Sequence, residues 1–316
     1  MNIQRPLLCA LALLAGLAWQ PAALAQAAAA APASTYSKEG ADTCLGCHDD
    51  ESPTYSASAI FKTPHARRGD KRSPFGVGGL QCEACHGPGA AHVRGKKAAA
   101  INTFKPDATL PLAERNQVCL TCHQGTTRTA WHAGAHERAN LACTDCHKIH
   151  VERDPVLAKA SEPAVCMSCH KQQRADFQKA SSHPVRQGKM ACGDCHNAHG
   201  SSAPAMLVKP TLNQTCYSCH ADKRGPVLWE HAPVAEDCSL CHTPHGAVRA
   251  ALLNKSPPLL CQQCHTSAGH PSLARTAAGL PGGTAGGAAF LVAGSCTNCH
   301  SQVHGSNHPA GAKLMR

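Results

Sequence analysis

The sequence predicts a mostly irregular, elongated chain of short α-helices with almost no sheet, organised as five repeats of a two-motif unit. Three observations predict it. A pentapeptide, Cys-x-x-Cys-His, recurs ten times in 316 residues. Aromatic residues make up only 3%, while glycines number 26 and prolines 22. Twelve further histidines fall at related offsets between the motifs. A chain this poor in large apolar side chains has little from which to build one protein core.

The motifs come first. In chain order they comprise Cys44, Cys47 and His48; Cys82, Cys85 and His86; Cys119, Cys122 and His123; Cys143, Cys146 and His147; Cys166, Cys169 and His170. They continue with Cys192, Cys195 and His196; Cys216, Cys219 and His220; Cys238, Cys241 and His242; Cys261, Cys264 and His265; Cys296, Cys299 and His300. On one helical turn the two thiols share a face and can bond the two vinyl groups on one porphyrin edge. The histidine that follows then lies under the ring with a nitrogen aimed at the iron. This is why C-x-x-C-H signals covalent haem. A zinc array would pair its C-x-x-C units and would need no histidine at a constant offset. A disulfide scaffold would show no fixed register. Twenty of the 21 cysteines are used, so ten c-type haems are expected. Haem would supply the missing apolar mass, as metals do in small domains, and the haem-free chain is expected to be largely unfolded.

The remaining cysteine, Cys9, lies in an opening with Arg5 ahead of an apolar run from Leu7 to Trp19 and an Ala23-Leu24-Ala25 ending. Residues 1–25 read as a secretory signal peptide, followed by an Ala-rich tail over 26–43 and the haem-binding chain over 44–316. The apolar run is shorter than the ~20 residues of a spanning helix. The stretch around Phe290 is shorter still, so an exported chain without an anchor of its own is expected.

Histidine arithmetic comes next. Ten of 22 histidines belong to motifs, leaving His65, His92, His132, His136, His150, His183, His199, His231, His245, His270, His304 and His308. Outside the leader and the motifs, only Met190, Met206 and Met315 offer a thioether. Imidazole on both faces of every iron is the economical arrangement, and it gives lower potentials than Met/His ligation. The expected distal ligands are His65, His92, His136, His150, His183, His199, His231, His245, His270 and His304. His132 competes with His136, and His308 with His304.

The units run about 44–92, 119–150, 166–199, 216–245 and 261–304, each reading motif, histidine, motif, histidine. A period of 45 to 50 residues in the middle units implies a quasi-one-dimensional array. His199 stands too close behind His196 to reach the far face of the same haem. The expectation is therefore ligation crossed within a unit: His136, His183 and His231 on the second haem, and His150, His199 and His245 on the first.

The formal charge of +10 suggests nucleic acid at first sight. Twenty haem propionates, set against ten ferric centres, would bring the mature holoprotein near −1 oxidised and near −11 reduced. The basic excess is better read as offsetting propionates, and no nucleic-acid partner is expected.

Closely packed haems pass electrons by tunnelling. If each adds ~10 Å, ten in file would span roughly 100 Å, against ~40–45 Å for a bilayer with its head groups. The motif order, with CHNAHG, CHTPHG and the ending CTNCHSQVHGSNHPAG, resembles the MtrA-type periplasmic decahaem cytochromes, the group with the MtoA and PioA iron-oxidation proteins and the DmsE donors. The resemblance covers essentially the whole mature chain. It implies an elongated bis-histidine cytochrome inserted in an outer-membrane β-barrel porin. It also implies the first haem (Cys44, Cys47) toward the periplasm and the last (Cys296, Cys299) toward the extracellular side. Periplasmic cytochromes or quinol-linked donors and acceptors, and an extracellular multihaem cytochrome or reductase, are the partners implied. The alternatives are a soluble periplasmic shuttle, or a multihaem oxidoreductase, which needs one iron with an open position.

Overall fold

The computed structural model describes residues 36–265 and 296–315, except 38–39, 50, 53–54, 68, 72, 76–79 and 96–100. The leader with Cys9, most of the Ala-rich tail, His270 and the stretch around Phe290 lie outside the described residues.

Among the described residues ten short α-helices account for most of the regular structure. They are α1 (Ala41–Leu45), α2 (Glu83–His86), α3 (Ala90–Val93), α4 (Leu112–Leu120), α5 (Ala135–Arg138), α6 (Cys143–Cys146), α7 (Glu162–Cys166), α8 (Lys171–Asp176), α9 (Leu212–Tyr217) and α10 (Ala232–Glu236). The longest, α4, has nine residues. The described sheet is one antiparallel pair of two-residue strands, β1 (Glu51–Ser52) and β2 (Tyr55–Ser56). Helices this short are marginal alone, so their stability must come from what they pack against. The expected class, mostly irregular with almost no sheet, is the class observed.

Every motif is one closed turn. The histidine N–H of each of the ten donates to the carbonyl of its own first cysteine at 2.9–3.0 Å. The two motifs of a unit reach that turn differently. Helices α1, α4, α7 and α9 run into Cys44, Cys119, Cys166 and Cys216, near their C-terminal ends. The second motifs start a turn at the cysteine itself, and two of them are capped by the motif's own Asp. Asp145 accepts from the Ala142 N–H at 2.7 Å and Asp194 from the Ala191 N–H at 2.9 Å, satisfying helix-start donors that would otherwise be orphaned.

Buried amides join the two motifs of a unit. Asn116, three residues before Cys119, donates to the Leu141 carbonyl and accepts from the Cys143 N–H at 2.9 Å. Asn213, three residues before Cys216, donates to Val234 and Ala235 and accepts from the Cys238 N–H at 2.8 Å. Glu162 does the same work for the third unit, accepting from the Gly193 N–H at 2.8 Å.

Successive units are tied by short backbone ladders. Ser181 pairs with Ala247, and Trp229 with Ser306, each through two bonds of 2.8–2.9 Å. The glycine of the histidine-glycine step sits at these junctions. Gly200 has φ +104°, and a Cβ there would run into the Ala130 carbonyl oxygen. Only glycine allows the two backbones to lie that close.

What is missing is a conventional core. No large side chain among the described residues is fully buried, and the buried apolar set is mostly alanine with Leu120, Trp131, Phe177, Val185 and Leu207. The interior is instead a continuous cavity of about 4440 Å³ lined by all twenty motif cysteines. A chain expressed without haem attachment should therefore show a largely disordered far-ultraviolet circular dichroism spectrum and rapid proteolysis. A cooperative melt of that haem-free chain would contradict this account.

Candidate functional site: an array of paired imidazoles

The cavity holds the histidines in opposed pairs. Ring centroids lie 6.3 Å apart for His48 and His92, 6.0 Å for His86 and His150, and 5.9 Å for His65 and His123. The series continues with His147 and His199 at 6.0 Å, His136 and His170 at 6.1 Å, and His196 and His245 at 6.0 Å. His183 and His220 are 6.3 Å apart, His242 and His304 6.1 Å, and His231 and His265 6.0 Å. A metal–imidazole nitrogen bond is about 2 Å, and a ring's centre lies ~1 Å behind its nitrogen, so two imidazoles trans on one metal have centroids ~6 Å apart. All nine pairs meet that spacing, and each contains one motif histidine. The cavity allows about 440 Å³ for each of ten motifs, within the ~300–1,000 Å³ of a cofactor site. The residues therefore fit c-type haem.

The pairs do not follow the expected scheme. His199 faces His147 rather than His170, and His183 faces His220 rather than His196. His136 faces His170 rather than His147, and His231 faces His265 rather than His242. His150 and His245 likewise face His86 and His196, not the first motifs of their own units. In the first four units the middle histidine reaches forward to the first motif of the next unit, and in the second to fifth units the last histidine reaches back to the second motif of the unit before. Among the described pairs only His92 stays inside its own unit, with His48. The physical reason is the junction itself. The middle histidine is pinned to the following unit by its own ring: His136 Nδ1–H donates to the Ala198 carbonyl, His183 to Pro244 and His231 to Val303, at 2.7–2.9 Å. Each acceptor immediately precedes the last histidine of that following unit.

The competing histidines separate cleanly. His132 is exposed and held by Glu137 at 2.8 Å. His308 accepts the Ala310 N–H on its Nδ1 at 3.1 Å. His136 and His304 take the paired positions.

Tautomers follow from the acceptors. His86 Nδ1–H donates to Asn102 O, His196 to Ala205 O, His242 to Ala251 O and His300 to Lys313 O, at 2.7–2.9 Å. A carbonyl only accepts, so each Nδ1 carries the proton and Nε2 is left with its lone pair toward the cavity. Burial also lowers the pKa of His65, His123, His150, His199, His245 and His304, which favours the neutral, metal-binding form. Three of the scarce aromatics wall these rings: Phe104 against His86, Trp131 against His199 and Phe177 against His245.

The cysteines give the order of the sites. Within units, the first cysteines of the two motifs touch: Cys44 with Cys82, Cys119 with Cys143, Cys166 with Cys192, Cys216 with Cys238 and Cys261 with Cys296. Between units, Cys85 neighbours Cys119, Cys146 neighbours Cys166, Cys195 neighbours Cys219 and Cys241 neighbours Cys264. Burial pushes the thiols of Cys85, Cys146, Cys195 and Cys241 up, while the hydrogen bond from the neighbouring motif's first cysteine pulls Cys82, Cys119 and Cys192 down. The ten motifs thus adjoin one another in sequence order.

The residues that sequence reasoning missed are Asn116, Asn213 and the glycines after the last histidines. Aligning the repeats would have exposed them, since Asn116 and Asn213 sit at the same offset from a first motif.

Comparison with known proteins finds multihaem c-type cytochromes. Residues 183–225 and 231–270 match the doubled CXXCH motif family, and residues 82–163 match the NrfB-like cytochrome c-type protein family. The chain is 50% identical over 281 residues, 89% of its length and 83% of the relative's, to multiheme cytochrome MtrA of Shewanella baltica. It is 24% identical over 208 residues, 57% of this chain and 25% of the relative, to the polyheme cytochrome OmcB of Geobacter sulfurreducens. It is 28% identical over 149 residues, 42% of this chain and 65% of the relative, to NrfB of Haemophilus influenzae.

Two outcomes follow. Replacing His199 with Met should raise the potential of the haem on Cys143 and Cys146 and leave the one on Cys166 and Cys169 unmoved; redox titration of site-resolved NMR signals reads the difference. The ring planes also fall into two sets. Pairs His65–His123, His136–His170 and His183–His220 cross at 56–68°, and the other six lie within 36°. Low-temperature EPR of the oxidised protein should resolve two low-spin populations, the crossed one the smaller.

Proposed function

The chain belongs to the MtrA family of multihaem c-type cytochromes, and from that premise we propose that it is a decahaem wire carrying electrons across the outer membrane between periplasmic partners and the extracellular side. The observation that carries this reading is the file of opposed imidazoles, each pair spaced for both axial positions of one iron. Each bound haem supplies a one-electron iron couple whose potential the protein tunes. The motif cysteines would hold each haem covalently. At the nine described pairs, two histidines on each iron would leave no coordination position for a small substrate, which favours electron transfer over catalysis. The same pairing keeps the ligand shell nearly constant between oxidation states, so little reorganisation opposes each step. Contact between successive motifs makes the route continuous.

Among the described residues no helix is long and apolar enough to cross a membrane. A wire made of loops and short helices could cross lipid only where its polar backbone is enclosed, and a closed β-barrel provides that enclosure. The proposal therefore includes an outer-membrane porin as sheath, export by the leader at residues 1–25, periplasmic cytochromes or quinol-linked partners at the Cys44 end and an extracellular multihaem cytochrome or reductase at the Cys296 end.

The test is reconstitution. The cytochrome should co-purify with a barrel protein from outer-membrane extracts. Vesicles carrying that complex and enclosing an oxidised viologen should change colour when dithionite is added outside, and vesicles carrying the barrel alone should not. Quantitative recovery as a barrel-free periplasmic protein would favour the shuttle instead.

A further inference from the structure

The five second-motif histidines can be compared directly, because the Nδ1 partner of each is defined. Four of them, His86, His196, His242 and His300, donate to a backbone carbonyl. His147 donates instead to the Asp154 carboxylate at 2.8 Å.

The substitution is visible within the repeat. After His196 and His242 the chain makes the same short 3₁₀ turn, Pro204–Met206 and Ala250–Leu252. Both turns place residues in the left-handed region, Ala205 at φ +52° and Ala251 at φ +53°, and so offer the carbonyls of Ala205 and Ala251. The corresponding turn after His147 is Pro155–Leu157, and its N-cap is Asp154. The Asp154 carboxylate takes the imidazole proton with one oxygen. The other accepts from the backbone N–H of Lys148 at 3.2 Å and of Val156 at 3.3 Å. Its side chain is only 10% exposed. The carboxylate is thus fixed by the backbone on one side and aimed at the ligand on the other. The equivalent positions in the next two units, seven residues after the histidine, are Ala203 and Arg249, which carry no acceptor.

We propose that Asp154 makes the haem on Cys143 and Cys146 the lowest-potential member of the second-motif set. The inference rests on the reading of His147 as an iron ligand. A carboxylate acceptor draws the Nδ1 proton and leaves more negative charge on the ring. The ring becomes the stronger donor to iron and stabilises the ferric over the ferrous state. Asp154 would act on the iron only through His147, so it is a positioning residue. The site is fourth in the file of ten, between a three-haem segment and a six-haem segment.

The test uses the full holoprotein with Asp154→Asn, Asp154→Glu and Ala203→Asp, read by haem count, spectroelectrochemical titration and EPR. Ten haems and no high-spin signal in the parent protein secure the ligand reading separately. With that secured, Asp154→Asn should move one-tenth of the haem absorbance to higher potential, and Asp154→Glu should restore it. A superimposable Asp154→Asn curve at full haem content overturns the proposal, as does a shift that Asp154→Glu leaves in place. Should Asp154→Asn lose haem, Ala203→Asp decides: one-tenth of the absorbance moving to lower potential, the His196 site, supports the proposal, and an unchanged curve overturns it.

Discussion

Two imidazoles opposed across ~6 Å, contributed by neighbouring repeats, are the constraint on which the rest of the structure depends. Each interior unit sends its middle histidine forward and its last histidine back, as His183 does to His220 and His199 to His147. Removing residues 166–199 would strip one ligand from the unit on either side as well as two whole sites. Solenoids whose repeats meet only through side-chain packing have stability that adds repeat by repeat. Metal binding would itself be folding free energy here, and every interior histidine pair draws its second ring from across a junction. The array should hold together as one cooperative body despite having almost no protein core.

This also explains why so little regular structure suffices. Each site asks the chain for three atoms from one turn and one from a distant loop. A five-residue turn closed by the histidine-to-cysteine bond supplies the first three in all ten motifs. The distant ligand is supplied by two-residue ladders such as Ser181 with Ala247 and Trp229 with Ser306, with glycine where the backbones nearly touch. Long helices would separate the motifs, since each residue adds 1.5 Å along the axis. Loops bring them together, and buried Asn116 and Asn213 satisfy the backbone groups that those loops would leave unpaired.

Much of this was legible in the residues. The motif turn, the near absence of sheet and the choice of ligand type all follow from local spacing and from counting. Spacing favoured His136 over His132, and the structure adds that the competing ring is held by Glu137. The pairing of histidines with motifs was not. Proximity in sequence suggested ligation inside each unit, whereas His136 bonds the carbonyl of Ala198, 62 residues on, and His231 that of Val303, 72 residues on. Such contacts depend on how units stack, and the histidine spacing alone contains no trace of it. The acceptors behind the rings were equally hidden, since a backbone carbonyl has no sequence identity. Asp154 was the exception in kind, being a side chain, but without the turns after His196 and His242 for comparison it read as an ordinary loop residue.

Placing the metal bonds at the junctions has a consequence for conduction. Tunnelling falls steeply with distance, so a wire is only as good as its loosest gap. In a stack of self-contained two-site units, the gaps inside units would be rigid and those between them soft, and the soft gaps would limit the current. Here the two kinds of gap are held by different devices. Inside a unit the first cysteines of both motifs touch, as Cys166 and Cys192 do. Between units the second cysteine of one motif lies beside the next, as Cys195 does beside Cys219, and ligands exchanged in both directions clamp that contact. With an iron held between the paired rings, bending the file at a junction would have to stretch iron–nitrogen bonds. The stiffest bonds of the haem-loaded chain would therefore lie at the joints where a modular chain would otherwise flex.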